Sequence, residues 1–303
     1  MKIKDIGEIN LIKRFAGQIR IDSSVVKGSG DDTAVVKWTR DKYLLLKCDM
    51  VIEGVHFKLK DAKPFQIGWK AMCRNISDIA AMGGVPRYAL VSWAMDPESS
   101  VELADGIFKG MKSAADKFGI NIVGGDVSKA RNIFIDVSMA GEVEKKNLVT
   151  RSGARTGDVI MVTGAIGGSI RGRHLDFIPR VAEARGLVKK FKINSMIDVS
   201  DGFLLDLGRI LEASGKGARI YKNLIPISPD AADPDSALTD GEDFELLFTM
   251  SVQEARRFLR TEYAKMQTPV TIIGEVTDKV HGYKIVGKGG KETPVLLKGY
   301  EHF

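Results

Sequence analysis

The sequence predicts an α/β (α+β) chain of two domains. Strand-like and helix-like segments alternate along it, which is typical of α/β proteins. Its 303 residues are many for one hydrophobic core, and a charged stretch at residues 142–147 separates two such alternating series. We therefore predict an N-terminal domain over residues 1–145 and a C-terminal domain over residues 146–303.

The N-terminal half begins with a predicted hairpin, whose strands 33–37 and 43–48 are joined by turn residues 39–41. A helix is predicted over residues 64–82, because apolar residues recur at helical spacing and Gly83-Gly84 follow them. The remaining predicted elements are a strand at 88–95, a helix at 101–118, a short buried strand at 120–123 and a strand at 133–141.

The C-terminal half repeats the alternation. A predicted strand at 159–163 leads into a glycine-rich turn at 164–169, and a helix at 203–214 ends at Gly215. Further strands are predicted at 195–197, 218–221 and 244–250.

Composition and charge exclude several classes of protein. No apolar stretch approaches the roughly 18 residues of a membrane span, and the N-terminus leads into no apolar signal-peptide core. The net charge of +6 is spread evenly, with 22 basic and 19 acidic residues in 1–145, so no nucleic-acid partner is expected. Only Cys48 and Cys73 occur, which fits a reducing cytoplasm.

Acidic residues stand where apolar runs end at five places in the sequence. They are Asp31-Asp32, Asp49, Asp78, Asp126 and the pair Asp198 and Asp201. An ionised carboxylate close to a core is costly unless a cation or hydrogen bonds compensate it. Several of these acids lie beside glycines, whose backbone N–H groups can approach phosphates. The series therefore predicts a magnesium site for a polyphosphate, since Mg²⁺ binds carboxylates together with substrate phosphates.

Each motif also has an ordinary structural interpretation. Asp31-Asp32 and Gly124-Gly125-Asp126 fit plain polar turns, and Asp78 could pair with Arg74 on the same helix. Ser200 or Asp201 could cap the following helix, although capping does not account for Asp198. His56 fits a hydrogen-bonded, partly buried histidine. No Ser/His/Asp arrangement, zinc spacing, P-loop or protein-kinase motif is present in the sequence.

In order, these motifs resemble the thiamine-monophosphate kinase family, from Gly28 to the last residue. The matching segments are residues 28–32, 53–57, 75–83, 124–126, 150–158, 197–202, 241–248 and 298–303. Single motifs are also similar to relatives such as aminoimidazole ribonucleotide synthetase. The full set, and especially residues 55–57 together with the C-terminal segment, resembles the thiamine-monophosphate kinase family specifically.

The resemblance implies transfer of the γ-phosphate of ATP to thiamine monophosphate with Mg²⁺, by direct in-line transfer without a protein nucleophile or base. It also implies a homodimer whose N-terminal domains contribute strands to a shared β-barrel flanked by helices. The implied metal ligands are Asp32, Asp49, Asp78, Asp126, Asp198 and Asp201. The implied ATP contacts are Gly125, Asp126, Arg151 and Ser200, and the implied thiamine phosphate contacts are His56, Glu242 and Tyr300.

The chain departs from the family pattern mainly near the implied acceptor site. Cys48 and Met50 flank Asp49 where the family usually has threonines, the segment 170–173 is short, and Leu297 replaces an aromatic residue. Two other functions stay open: a synthetase of the aminoimidazole ribonucleotide type, and a nucleotide-binding relative without turnover. Relatives that make selenophosphate or carry a carbamoyl group need a reactive terminal cysteine, which this sequence lacks.

Overall fold

The computed structural model describes residues 2–302, so Met1 and Phe303, which end the two predicted domains, lie outside the described residues. Two short helices, α1 (Ile3–Ile6) and α2 (Glu8–Ala16), precede two β-sheets. The first sheet is built from the N-terminal half of the chain and the second from the C-terminal half. The chain is therefore a two-domain α/β protein with mixed sheets.

The first sheet has six strands in the order β1-β2-β3-β6-β4-β5. Their bounds are β1 Val25–Lys27, β2 Ala34–Lys37, β3 Lys42–Ile52, β4 Val85–Met95, β5 Asn121–Lys129 and β6 Phe134–Glu144. All neighbours pair antiparallel except β4 and β5, which are parallel. The parallel pair is connected through a helix, as parallel strands require.

Two long helices, α3 (Pro64–Ala81) and α4 (Val101–Phe118), cover one face of this sheet. Pro64 begins α3 where its missing N–H costs nothing, and the Ser100 hydroxyl accepts the N–H of Leu103 at the start of α4. Gly119 ends α4 with φ 67°. Residues on this side of the strands, such as Val35 and Leu45, are fully buried.

The other face of the first sheet carries exposed apolar side chains. They are Leu46 and Met50 of β3, Tyr88 and Leu90 of β4, and Val123 of β5. The expectation of a short buried strand at 120–123 is therefore wrong: β5 is longer, and Val123 is 58% exposed. The strand lies at the sheet edge and pairs only with β4. No barrel closes within the described part of the chain.

The second sheet has seven strands in the order β13-β12-β9-β11-β7-β10-β8. Their bounds are β7 Val159–Thr163, β8 Ser195–Asp198, β9 Lys216–Tyr221, β10 Leu246–Met250, β11 Val270–Asp278, β12 Tyr283–Val286 and β13 Glu292–Pro294. Only β9 and β12 pair parallel. Helix α6 (Phe203–Ser214) covers one face, and α5 (Val181–Lys190) and α7 (Val252–Thr261) cover the other. Strands β8 and β10 are consequently buried throughout.

Helix α3 also packs against the second half of the chain. Its Ala80 and Ala81 belong to the apolar cluster that includes Leu187 of α5 and Met196 of β8. One helix therefore carries side chains toward both sheets, which is the reason that residues from both halves meet beside it.

Most predicted elements are confirmed, including the hairpin, α3, α4, β7 and α6. The charged stretch 142–147 is the end of β6 followed by a 3₁₀ turn at Lys145–Asn147. Strand β10 begins later than predicted, because Phe244 has φ 52° and lies outside the strand. Among the described residues, no helix combines the length and apolar character needed to cross a membrane.

Candidate active site

Three of the predicted metal ligands form a buried cluster. Asp32 precedes β2, Asp78 lies in α3 and Asp198 ends β8, and one carboxylate oxygen of each lies within 4.8 Å of the others. Their residues are 2%, 7% and 2% exposed. One Asp32 oxygen is buried without a hydrogen-bond partner. Clustered carboxylate oxygens of this kind suit Mg²⁺, which prefers hard oxygen ligands.

Burial and mutual repulsion disfavour the ionised form of this cluster. Burial raises the pKa of Asp78 well above its usual range, with Lys47 opposing and Asp198 adding to the rise. Burial, with the charge of Asp32, likewise raises the pKa of Asp198 to about 7, although the Ser77 hydroxyl donates a hydrogen bond to it. A divalent cation would relieve this repulsion.

Basic side chains contact the carboxylates of Asp32, Asp49 and Asp78. The Arg151 guanidinium donates to Asp32 from Nη2 at 2.6 Å and from Nε at 3.1 Å. Lys47 Nζ lies 3.2 Å from Asp49 Oδ1 and 3.2 Å from Asp78 Oδ2. Burial by itself would lower the pKa of Lys47. The charges of Asp78 and Asp49 outweigh burial and raise this pKa well above its usual value. These cations partly neutralise the acidic site.

Asp78 does not pair with Arg74, so that alternative is wrong. Arg74 Nε instead lies 3.6 Å from Asp49 Oδ2. Asp49 therefore has a basic side chain at each of its two oxygens. Asp49 lies on β3, in the sheet that α3 covers, and borders the cluster from there.

The loop after β8 is fixed by a helical carboxylate rather than by capping. Gly202 is the N-cap of α6 and provides no side chain, so the capping interpretation of Ser200 and Asp201 is wrong. Asp206 Oδ2 accepts the backbone N–H groups of Ser200 and Asp201, each at 3.0 Å. Arg209 bridges Asp206 and Asp201, with 2.6 Å contacts to both. The loop is thus held in place beside the cluster.

A cavity of about 520 Å³ opens beside this loop. Its walls include all three residues predicted for thiamine phosphate, His56, Glu242 and Tyr300, together with Ser200 and Asp201. The backbone N–H of Tyr300 donates to the Asp201 carbonyl at 2.8 Å, which attaches the C-terminal segment to the loop. Residues far apart in the sequence therefore enclose one space.

Fully buried Lys70 supports the Glu242 side of the cavity. Its Nζ donates to the His56 carbonyl at 2.8 Å and lies 2.7 Å from Glu242 Oε1 and 2.7 Å from His174 Nδ1. Burial alone would raise the pKa of Glu242, but the His174 hydrogen bond and the Lys70 charge lower it to about 2. Glu242 is ionised at neutral pH and has φ 65°, an uncommon backbone conformation for a residue with a side chain.

His56 is neutral at physiological pH. Burial and the charge of Arg74 lower its pKa to about 4. Its Nδ1 accepts the N–H of Ile52 at 3.1 Å, so the proton is on Nε2 and can be donated to a ligand.

The short segment 170–173 borders the same cavity through Ile170. It belongs to two successive 3₁₀ turns, Ser169–Arg171 and Arg173–Leu175. Buried Asp243 anchors this region, since it accepts hydrogen bonds from Gly167 N, Ser169 Oγ and Arg173 Nη2. The shortened segment is therefore well held despite its length.

Gly125 and Asp126 lie apart from the three-aspartate cluster, on exposed edge strand β5. A Cβ on Gly125 would lie 1.8 Å from the Val91 carbonyl oxygen. The glycine is therefore required for β5 to pair with β4. This packing role was not part of either sequence-based interpretation, a polar turn or an ATP contact.

The sequence reasoning missed several residues of the site. They are Lys47, Lys70, Arg74, His174, Asp206 and Arg209. Lys70 carried one usable signal, because a lysine within the apolar stretch of α3 needs a buried partner.

Comparisons with known proteins show the family of this chain. Residues 30–143 match the family model of the AIR synthase related protein N-terminal domain, and residues 155–287 match its C-terminal domain. The thiamine-monophosphate kinase of Rhodopirellula baltica is 37% identical, over 97% of this chain and 97% of that protein. The Bacillus subtilis thiamine-monophosphate kinase is 35% identical, over 98% and 99%. This chain belongs to the thiamine-monophosphate kinase family.

A solved structure supports the family assignment across the whole fold. AaThiL complexed with AMPPCP and TMP superimposes with a TM-score of 0.85 at 30% identity, covering 100% of this chain and 99% of that one. Members of the thiamine-monophosphate kinase family are phosphotransferases, and the chain is accordingly an enzyme of this class. The resemblance drawn from the ordered motifs is thus confirmed.

Proposed function

We propose that this chain transfers the γ-phosphate of ATP to thiamine monophosphate in the presence of Mg²⁺, giving ADP and thiamine diphosphate. The observation that carries the proposal is that His56, Glu242 and Tyr300 line one cavity together with the loop that follows Asp198. The acceptor cavity and the acidic cluster therefore adjoin through residues 198–201. The AaThiL complex with AMPPCP and TMP supports the same pair of ligands.

The acceptor residues suit a cationic heterocycle that carries a phosphate. Thiamine has a positively charged thiazolium ring, and ionised Glu242 provides a carboxylate in the cavity. Neutral His56 can donate a hydrogen bond from Nε2, and Tyr300 adds an aromatic surface. These features favour thiamine monophosphate over an uncharged acceptor.

We assign Mg²⁺ binding to the predicted carboxylates, with Asp32, Asp78 and Asp198 at the centre. Asp126 and Asp201 remain proposed ligands. The two oxygens of Asp49 face Lys47 and Arg74, so we propose Asp49 as a ligand only where Lys47 is absent. When bound, Mg²⁺ would supply positive charge that the two phosphates need as they approach. Gly125, Asp126, Arg151 and Ser200 remain the proposed ATP contacts, and the Arg151 guanidinium, held by Asp32, can bind a phosphate oxygen.

No protein nucleophile or general base is required in this proposal. The acceptor phosphate oxygen is already ionised at neutral pH, so the protein needs to position two anions for direct in-line transfer. The ordered loop 198–202 and the cation-lined cluster are suited to that task.

We further propose a cytoplasmic homodimer that uses the exposed face of the first sheet. The apolar residues of β3, β4 and β5 on that face need a partner to be buried, and the resemblance implies a shared barrel there. Both free cysteines are compatible with a reducing compartment.

A direct product assay tests the catalytic proposal. Purified protein is incubated with ATP, Mg²⁺ and thiamine monophosphate, and thiamine diphosphate is measured by chromatography. Formylglycinamidine ribonucleotide serves as the control acceptor for the synthetase alternative. Formation of thiamine diphosphate is expected, whereas its absence together with ADP release on the control acceptor would overturn the proposal.

A further inference from the structure

Lys47 occupies an unusual place for a basic residue, within the acidic cluster itself. Strand β3 alternates, so that Leu45, Lys47 and Val51 point to the face that the helices cover, while Leu46 and Met50 point away. The Lys47 side chain is only 20% exposed. Its ammonium is therefore directed by the strand into the site.

The ammonium contacts two of the six predicted metal ligands. Its Nζ lies 3.2 Å from Asp49 Oδ1 and 3.2 Å from Asp78 Oδ2. The second Asp49 oxygen lies 3.6 Å from Arg74 Nε. Both oxygens of Asp49 thus face cations that belong to the protein.

The ammonium disfavours a divalent cation at these two oxygens. Magnesium binds carboxylate oxygens at about 2.0–2.1 Å, and an ion placed between Asp49 and Asp78 would lie against the positive charge of Lys47. One shared position remains for a divalent cation, because Asp32, Asp78 and Asp198 each offer an oxygen that lies within 4.8 Å of the others.

We propose that the Lys47 ammonium is a permanent cation of the acidic site. It takes the place of one divalent cation between Asp49 and Asp78. The cluster consequently binds one divalent ion fewer than the same carboxylates would bind without it. One of the positive charges needed to bring two phosphates together is then supplied by the chain. This inference rests on the proposed function, since it concerns the metal ions of that site.

Counting bound Mn²⁺ tests the inference without measuring phosphoryl transfer. Electron paramagnetic resonance gives the number of Mn²⁺ ions bound per full-length chain at saturating AMPPCP. We expect Lys47→Met to bind one more Mn²⁺ than wild type, and Lys47→Arg, the matched control that keeps the charge, to bind the wild-type number. Equal numbers for Lys47→Met and wild type, or no binding by either, would overturn the inference.

A second pair of variants keeps the test decisive if Lys47→Met does not fold. Asp49→Asn should leave the Mn²⁺ number of the wild-type chain unchanged, because Lys47 and Arg74 already hold that carboxylate. Asp198→Asn should lower it. Loss of one Mn²⁺ in Asp49→Asn would refute Lys47 as a permanent cation of the site. A failed product assay with thiamine monophosphate would refute the proposed acceptor and leave these counts valid.

Discussion

Replacing Asp198 by asparagine should stabilise the metal-free protein while it weakens metal binding. Burial, with the charge of Asp32, raises the pKa of Asp198 from 3.8 to about 7. Each pKa unit corresponds to about 1.36 kcal/mol, so keeping Asp198 ionised in the folded state costs about 4 kcal/mol at a pH above 7. Asparagine has nearly the same shape, keeps an oxygen for the Ser77 hydroxyl and removes this cost.

The sign of the pH dependence follows from the raised pKa. Between pH 3.8 and about 7 the folded protein holds a proton on Asp198 that the unfolded chain has lost. This group therefore makes the metal-free protein progressively less stable as the pH rises through that range, and its effect is constant above it. The advantage of Asp198→Asn should be about 2 kcal/mol at pH 5.5 and about 4 kcal/mol at pH 8.5.

Urea denaturation in EDTA, at both pH values, measures these differences. Asp158→Asn is the matched control, because Asp158 is equally buried but accepts hydrogen bonds from Arg155 N and the Asn194 amide. That variant should be destabilised. If Asp198→Asn were less stable than wild type at pH 8.5, or if its advantage did not grow with pH, the repulsion assigned to the cluster would be wrong.

Three further predictions concern the sheet edge, the cavity and the exposed sheet face. Gly125→Ala should lower the free energy of unfolding by about 2–4 kcal/mol, because its Cβ would meet the Val91 carbonyl oxygen. Gly186→Ala is the control: Gly186 has open space around it, so this variant should be neutral or stabilising in the same urea titration. Glu242→Gln should raise the KM for thiamine monophosphate about 10-fold or more and leave the KM for ATP within about twofold; equal changes in both would contradict an acceptor role. Leu90→Glu should convert a dimer to a monomer in light scattering, and an unchanged dimer would exclude that face.

The elements of the fold were predictable where the sequence pattern is local. The apolar stripe of α3 and the glycines after it predicted the extent of the helix almost to the residue. The apolar run of β7 predicted a strand that is buried from its second residue onward. Strand β5 was not predictable in this way. Its apolar residues indicated burial, yet the single chain leaves them exposed, because burial of an edge strand depends on what covers it and not on its own composition.

The candidate site was predictable through its acids and hardly at all through its bases. Carboxylates beside glycines at the ends of apolar runs stand out in a sequence, since few structural needs place them there. Apart from Arg151, which the resemblance implied, and Lys70 in the apolar stretch of α3, the basic partners carry no such local signal. Lys47 lies on a strand and Arg209 on a helix, at positions where a lysine or arginine is ordinarily solvated. Only the tertiary arrangement shows that they face carboxylates.

The pairing of conspicuous acidic residues with inconspicuous basic ones has a physical origin that bears on the reaction. A cluster of buried aspartates is unstable by itself, so the folded chain must hold cations near it before any substrate arrives. Those cations contact the same carboxylates that are proposed to hold Mg²⁺, as Arg151 does at Asp32 and Lys47 at Asp78. The affinity of the site for metal is therefore set by competition between fixed and diffusible positive charges. A change in one lysine or arginine should alter metal requirement more than the loss of a carboxylate at the periphery.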